Sequence, residues 1–240
     1  MNHQAKIASG PALVAGPVPI RLKVCGVTNA QQAADLRGMG VDMLGLNFHP
    51  ASPRFVPPQL ARQIVLAWAD PASVVGVFVD RPASEILEIQ SLTGIGIAQL
   101  HGDESDEAIA EVASAMPVIK AFRVKDKESL AEASNQLNRL TSLKVEILAA
   151  LIDGYCASAH GGTGVGVAKE LVLSAVSLYP NLILAGGLNP KNIADRLAWI
   201  QPWAVDVASG VEVSPGLKDL DAVASMQRAI HEKFKKNGFT

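Results

Sequence analysis

The chain carries only two cysteines, Cys25 and Cys156, among 240 residues, too few for a disulfide framework and without the paired spacing of a zinc ribbon. The economical reading of that scarcity is a reducing, cytoplasmic setting. Charge is sparse as well: charged residues make up 18% of the chain and the formal net charge is −2. No global field therefore draws nucleic acid or an acidic membrane, and any anion site has to be built locally. Apolar runs of membrane-spanning length are absent, because the opening MNHQAKIASGPALVAGPVPI is broken repeatedly by glycine and proline. We read residues 1–20 as a flexible extension, with a weak signal peptide as the competing reading. A dinucleotide fingerprint is missing too: the GIG at 94–96 precedes a strand candidate and lacks the further glycines. That argues against a nicotinamide cofactor.

What the chain does have is apolar content, 49% of it, enough for one well-buried domain at this length. Past residue 20, eight short apolar or β-branched runs recur: RLKVCG, DMLGLNF, SVVGVFVD, GIAQLHG, PVIKAF, EILAALID, NLILAGG and WAVDVASG. Each is followed by a stretch with helical apolar spacing, from NAQQAADLRGMG to LKDLDAVASMQRAIHEKF. Near-continuous hydrophobic strands separated by helices imply parallel strands covered on both faces. Eight such units predict a single-domain α/β fold over 21–240, a closed (β/α)8 TIM barrel, with a doubly wound open sheet as runner-up.

In such a barrel the chemistry gathers where the strands end. Lys23 and Cys25 are two apart on the first strand and share a face, and a nearby ammonium favours the thiolate. Taken alone, the stretch favours a small cysteine filling space beside glycine. Asp153 closes the strongly apolar ILAALID, where a hydrophobic setting raises a carboxylic acid's pKa; a turn carboxylate before Gly154 is the alternative. HGGTG, AGGLN and ASGVE follow the sixth, seventh and eighth strands, and small residues there let backbone amides approach a phosphate. Arg54 suits a planar carboxylate or a solvated loop charge. His101 suits a cavity wall or a packed structural position. His49, His160 and Cys156 show no ordered metal spacing, so we expect no metal.

In order, KVCGVT, GLNFHPASPRFV, VGVFVD, QLHGDE, LID, GGTG, LAGGLNPKNI and DVASGVEVSPGLKD resemble the phosphoribosylanthranilate isomerase family of tryptophan biosynthesis, over Lys23 to Asp219. The resemblance implies a cofactor-free aldose–ketose isomerase, an intramolecular oxidoreductase that performs an Amadori rearrangement on a phosphorylated aminosugar. It implies that Asp153 is the general acid that opens the furanose ring and Cys25 the general base that removes the C2 proton, which reverses the bland reading of Cys25. By the same resemblance Arg54 holds the anthranilate carboxylate, Asp206 contacts the sugar, His101 borders the cavity and Lys23 supports Cys25. Gly162, Gly164, Gly186, Gly187, Ser209 and Gly210 form the phosphate cradle.

Two departures stand out. VGVAKEL follows GGTG where the family commonly continues toward Phe-Asp-Trp, and Asn47 enters a second strand that is usually richer in phenylalanine. The first motivates an alternative, a catalytically silent phosphate-ligand binding barrel; both motivate another, an isomerase of a related aminosugar phosphate. Surface helix patterns reveal no decisive partner stripe, which leaves the oligomeric state open, a monomer being slightly favoured.

Overall fold

A computed structural model describes residues 19–154, 170–171, 173–175 and 177–236. Eight parallel strands close into a barrel in sequence order: β1 Arg21–Cys25, β2 Met43–Asn47, β3 Val74–Phe78, β4 Ile97–Leu100, β5 Val118–Arg123, β6 Ala149–Asp153, β7 Leu182–Ala185 and β8 Ala204–Val207. The eight apolar runs of the sequence each become one strand. Pairing of β8 with β1, Lys23 opposite Asp206, closes the ring. Described helices cover Ala30–Gly38, Pro58–Trp68, Ala83–Thr93, Asp106–Ala113, Lys127–Ser142, Ile193–Arg196 and Leu220–Lys236. The helical pattern expected at 168–179 lies partly outside the described residues, as do 1–18.

The period of two along each strand sorts the side chains into two shells. Met43, Val75, Ile97, Ile119, Ala121, Ala149, Leu151, Ile183, Ala185 and Ala204 form one apolar cluster, inside the barrel. Their neighbours, among them Leu22, Val24, Leu44, Leu46, Val205 and Val207, form a separate cluster against the helices. Lys23, Gln99, Asp153 and Asp206 fall on the inward parity, above the apolar filling. Local chemistry sets the helix boundaries: Asn29 accepts a hydrogen bond from the Gln32 amide at 2.8 Å, and Asp126 and Ser129 cap each other reciprocally at the start of Lys127–Ser142.

One sequence expectation is corrected. Leu217 and Lys218, read as the start of the last helix, lie instead in a two-stranded antiparallel hairpin, β9 Glu212–Ser214 with β10 Leu217–Lys218. The reason is the Pro215-Gly216 pair at the turn, where Gly216 takes φ 85°, a left-handed conformation suited to glycine. The turn is anchored to the end of β1 by Thr28 Oγ1, which donates to the Gly216 carbonyl at 2.8 Å.

Outside the barrel, Lys120 on β5 points away from the mouth and ties down two of its loops. Its Nζ donates to Glu104 Oε2 at 2.8 Å and to the Gly102 carbonyl at 2.7 Å. Glu104 Oε1 in turn accepts from the amides of Gly102 and Asp80. Both charged side chains are almost fully buried, at 2% and 3% exposure, so removing one strands the other in a dry setting. Lys120→Ala should therefore destabilise the fold by about 3–5 kcal/mol, read as a lower urea midpoint at unchanged slope; a loss below about 0.5 kcal/mol would mean the strut is an ordinary surface pair.

Candidate active site

A cavity of about 540 Å³ opens at the C-terminal ends of the strands, a volume in the range that encloses small ligands. Cys25, Asn47, Gln99, His101, Asp153, Asp206, Ser209 and Gly210 all contribute to its wall, together with Gly186 and Gly187. Five strand ends thus bring polar side chains to one space, and a sixth, that of β7, brings glycines. The register explains the convergence, since Cys25 pairs with Gly45 and Asp153 with Ala185, inward positions on neighbouring strands.

Gly45 gives the thiol its room. A Cβ there would lie 2.7 Å from Cys25 Sγ, closer than real contacts allow. Gly186, at φ 94°, clears Asp153 in the same way, because a Cβ would stand 2.7 Å from Asp153 Oδ1 and overlap the Gly154 carbonyl. Gly187 follows at φ 62°, so the chain turns sharply where β7 ends. Asp153 itself is 35% exposed, with His101 Nε2 3.7 Å from its Oδ2. The apolar surroundings expected from ILAALID belong to the rest of the strand, while the carboxylate stands at its open end.

Lys23 is wholly buried beneath the cavity, its Nζ 2.9 Å from Asp206 Oδ1, an ion pair whose angle falls outside hydrogen-bond geometry. Burial alone would lower the ammonium, but the charges of Asp206 and Cys25 overcome it and the net displacement is upward. For Cys25 the balance runs the other way from the sequence expectation. Loss of water pushes the thiol up and Asp206 adds to it, so that Lys23 and Lys218, which both favour the thiolate, do not bring it below its ordinary value. A lysine two residues away was the visible cation; the carboxylate and the desolvation that oppose it come from the barrel.

Arg54 is not among the residues that line this cavity. Its Nε and Nη2 grip Glu212, with Nε to Oε1 at 2.8 Å, and its aliphatic stem crosses Gly26, where a Cβ would overlap it. Glu212 also accepts from Lys218 Nζ at 2.6 Å and from the Gly216 amide at 3.1 Å. Lys218 Nζ completes the chain of contacts by donating to the Cys25 carbonyl. Glu212 and Lys218 were not singled out from the sequence, although a Pro-Gly turn between two opposite charges was the signal: the hairpin sets Lys218 directly across from Glu212. Burial would raise the Glu212 carboxyl, yet its bonds to Arg54 and Lys218 hold it down at about 2. Burial lowers the Lys218 ammonium despite Glu212.

Gly162 and Gly164 of the expected phosphate cradle lie outside the described residues, as do Cys156 and His160. Among the described residues no group of three or more His, Cys, Asp or Glu could hold a metal ion, and no helix is long and apolar enough to cross a membrane.

Comparison with known proteins points one way. A family model described as N-(5'phosphoribosyl)anthranilate (PRA) isomerase matches residues 22–229. The N-(5'-phosphoribosyl)anthranilate isomerase of Myxococcus xanthus is 39% identical over 210 residues, which cover 88% of this chain and 95% of that one. Its counterpart in Gloeothece citriformis is 36% identical over 221 residues, covering 91% and 96%. Among solved structures, phosphoribosyl anthranilate isomerase from Thermotoga maritima matches with a TM-score of 0.76 at 32% identity, over 89% of this chain and 99% of that one. A phosphoribosyl anthranilate isomerase in complex with reduced 1-(o-carboxyphenylamino)-1-deoxyribulose 5-phosphate matches at 0.75 and 31%, over the same shares.

The depressed Glu212 carboxyl has a consequence in acid. Because it sits at about 2 in the fold against an ordinary 4.5, the stability it lends is complete above pH 4.5 and lost as pH falls through 2. The stability gap between the parent and Glu212→Gln should be constant near neutrality and close over that acid window in urea titrations; a gap that does not narrow there would contradict the assignment.

Proposed function

The chain belongs to the N-(5'-phosphoribosyl)anthranilate isomerase family, and from that premise we propose which of its residues carry the reaction. The activity is the rearrangement of N-(5-phosphoribosyl)anthranilate to 1-(2-carboxyphenylamino)-1-deoxyribulose 5-phosphate in tryptophan biosynthesis, an isomerisation of the aldose–ketose type. The silent binding barrel and the isomerase of another aminosugar phosphate are not favoured. We infer a cytoplasmic enzyme, a compartment that suits a free thiol at the site.

Asp153 acts as general acid. Its carboxyl proton goes to the furanose ring oxygen, the C1–O bond breaks toward that oxygen, and the anilino nitrogen's lone pair forms the C1=N bond of a Schiff base. Cys25, as thiolate, then takes the C2 proton; the electrons of that C–H bond form a C1=C2 bond and neutralise the nitrogen. The enolamine tautomerises to the aminoketose, so atoms and charge balance without any added redox partner. The single observation that supports this division is that Cys25 and Asp153, from β1 and β6, line the same cavity.

The electrostatics suit a base that is scarce but strong. Burial keeps the thiol high, and a thiolate of high pKa takes a carbon-bound proton more effectively than one of low pKa. Lys23 and Lys218 supply the positive charge that lets it form. We assign the sugar hydroxyls to Asp206 and the phosphate to the backbone around Gly186, Gly187, Ser209 and Gly210, with Gly162 and Gly164 completing the cradle. Arg54 receives the anthranilate carboxylate. Glu212 occupies its Nε–Nη2 edge, which leaves the end of the guanidinium, Nη1 with Nη2, to meet a second carboxylate. We place the aryl ring of the substrate between Arg54 and the sugar.

Cys25→Ala and Asp153→Asn should each lower kcat by about 100- to 10,000-fold with KM changed far less, because each removes a group used in the transition state. Steady-state assay of phosphoribosylanthranilate turnover measures it; near-parental kcat in both variants would defeat the assignment.

A further inference from the structure

We propose that Gln99 is a positioning residue that sets the tautomer of His101, so that the imidazole turns an N–H, and not a lone pair, toward Asp153. The proposal rests on the reading of Asp153 as the general acid. Gln99 is 1% exposed and sits on the inward parity of β4, two residues before His101, so both side chains face the cavity. Its Nε2 lies 2.9 Å from His101 Nδ1. An amide nitrogen only donates, so Nδ1 accepts and the proton of the neutral ring resides on Nε2. That nitrogen faces Asp153 Oδ2 at 3.7 Å, a separation that a small rotation of either side chain brings to hydrogen-bond length, as catalytic contacts tighten on binding.

Among the described residues, no other side chain hydrogen-bonds to the His101 ring Nδ1. Arg123, at the end of β5, donates to the backbone carbonyl of His101 at 3.2 Å and leaves the ring alone. Lys120 and Glu104 beneath the loop are committed to each other. Among the described residues Gln99 Oε1 is buried without a hydrogen-bond partner, and the amide's side-chain hydrogen bond is its donation to the imidazole.

The chemical meaning follows from the acid's cycle. As Asp153 gives its proton to the ring oxygen it becomes a carboxylate, and an Nε2–H beside Oδ2 can donate a hydrogen bond to the charge that has formed. With the opposite tautomer a lone pair would face the carboxyl and accept the very proton that the sugar needs. Gln99 thereby acts on the acid through one intervening ring, without touching substrate chemistry itself.

The decisive measurement is long-range proton–nitrogen correlation on the full chain labelled with 15N-histidine, at a pH where the imidazole is neutral, with His101 assigned by His101→Gln. Nδ1 should resonate as an unprotonated ring nitrogen and Nε2 as a protonated one, in the free enzyme. Gln99→Leu, or Gln99→Met if the first does not fold, should mix or invert that pattern and lower kcat on the order of tenfold or more with KM nearly unchanged, a part of the general-acid contribution. A proton on Nδ1 in the parent, as the reversed amide orientation would give, overturns the proposal; so does an unchanged pattern and kcat in both Gln99 variants. Because the nitrogen spectrum is read without turnover, it is separate from the Asp153 assignment: full activity in Asp153→Asn would remove the acid while leaving the tautomer result standing.

Discussion

The barrel closes where β8 returns to β1, and the ion pair of Lys23 with Asp206 sits on that seam. Two opposite charges this far buried are tolerable only if held together, so each strand carries a charge that the other offsets. The pairing does more than close a ring. It places a fixed ammonium beneath the cavity and a fixed carboxylate in its wall, and the Cys25 thiol, two residues beyond Lys23 on the same face, inherits the balance of both. Desolvation does most to raise the thiol; the seam adds a carboxylate that pushes the same way and the ammonium that opposes both.

The fold was legible because its signals are short-range and redundant. Eight apolar runs could hardly be placed except as strands, and their spacing left room for a helix each time. That Cys25, Asp153, Gly186, Gly187 and Gly210 would meet in one cavity was legible for a related reason: each stands at or just past the end of such a run, and the ends of parallel strands meet. What escaped depends on distance in the chain. Glu212 meets Arg54 across 158 positions, and no local pattern in either stretch announces the partner. The opposing pulls on Cys25 escaped similarly, since Asp206 and Lys218 reach it through the seam and the hairpin, and desolvation is a property of packing, not of spelling.

The hairpin after β8 shows how a small element can coordinate distant ones. Through Gly216 it is tied to Thr28, through Lys218 to the Cys25 carbonyl, and through Glu212 to Arg54. Gln32 holds the same hairpin from the first helix, accepting from the Lys218 amide and donating to its carbonyl. The proposed base and the proposed carboxylate ligand are thereby braced by one piece of chain, whose own charges are nearly neutral as a set.

Gly186 serves two neighbours at once. Its bare α-carbon was read as an invitation to phosphate, yet the space it leaves is also the space in which Asp153 Oδ1 stands. A position scanned by substitution would register as intolerant for either reason, and the severity of the defect alone could not say which ligand had been offended. Such a residue carries two meanings under one letter, and the structure separates them only because it shows the carboxylate that the missing side chain would have struck.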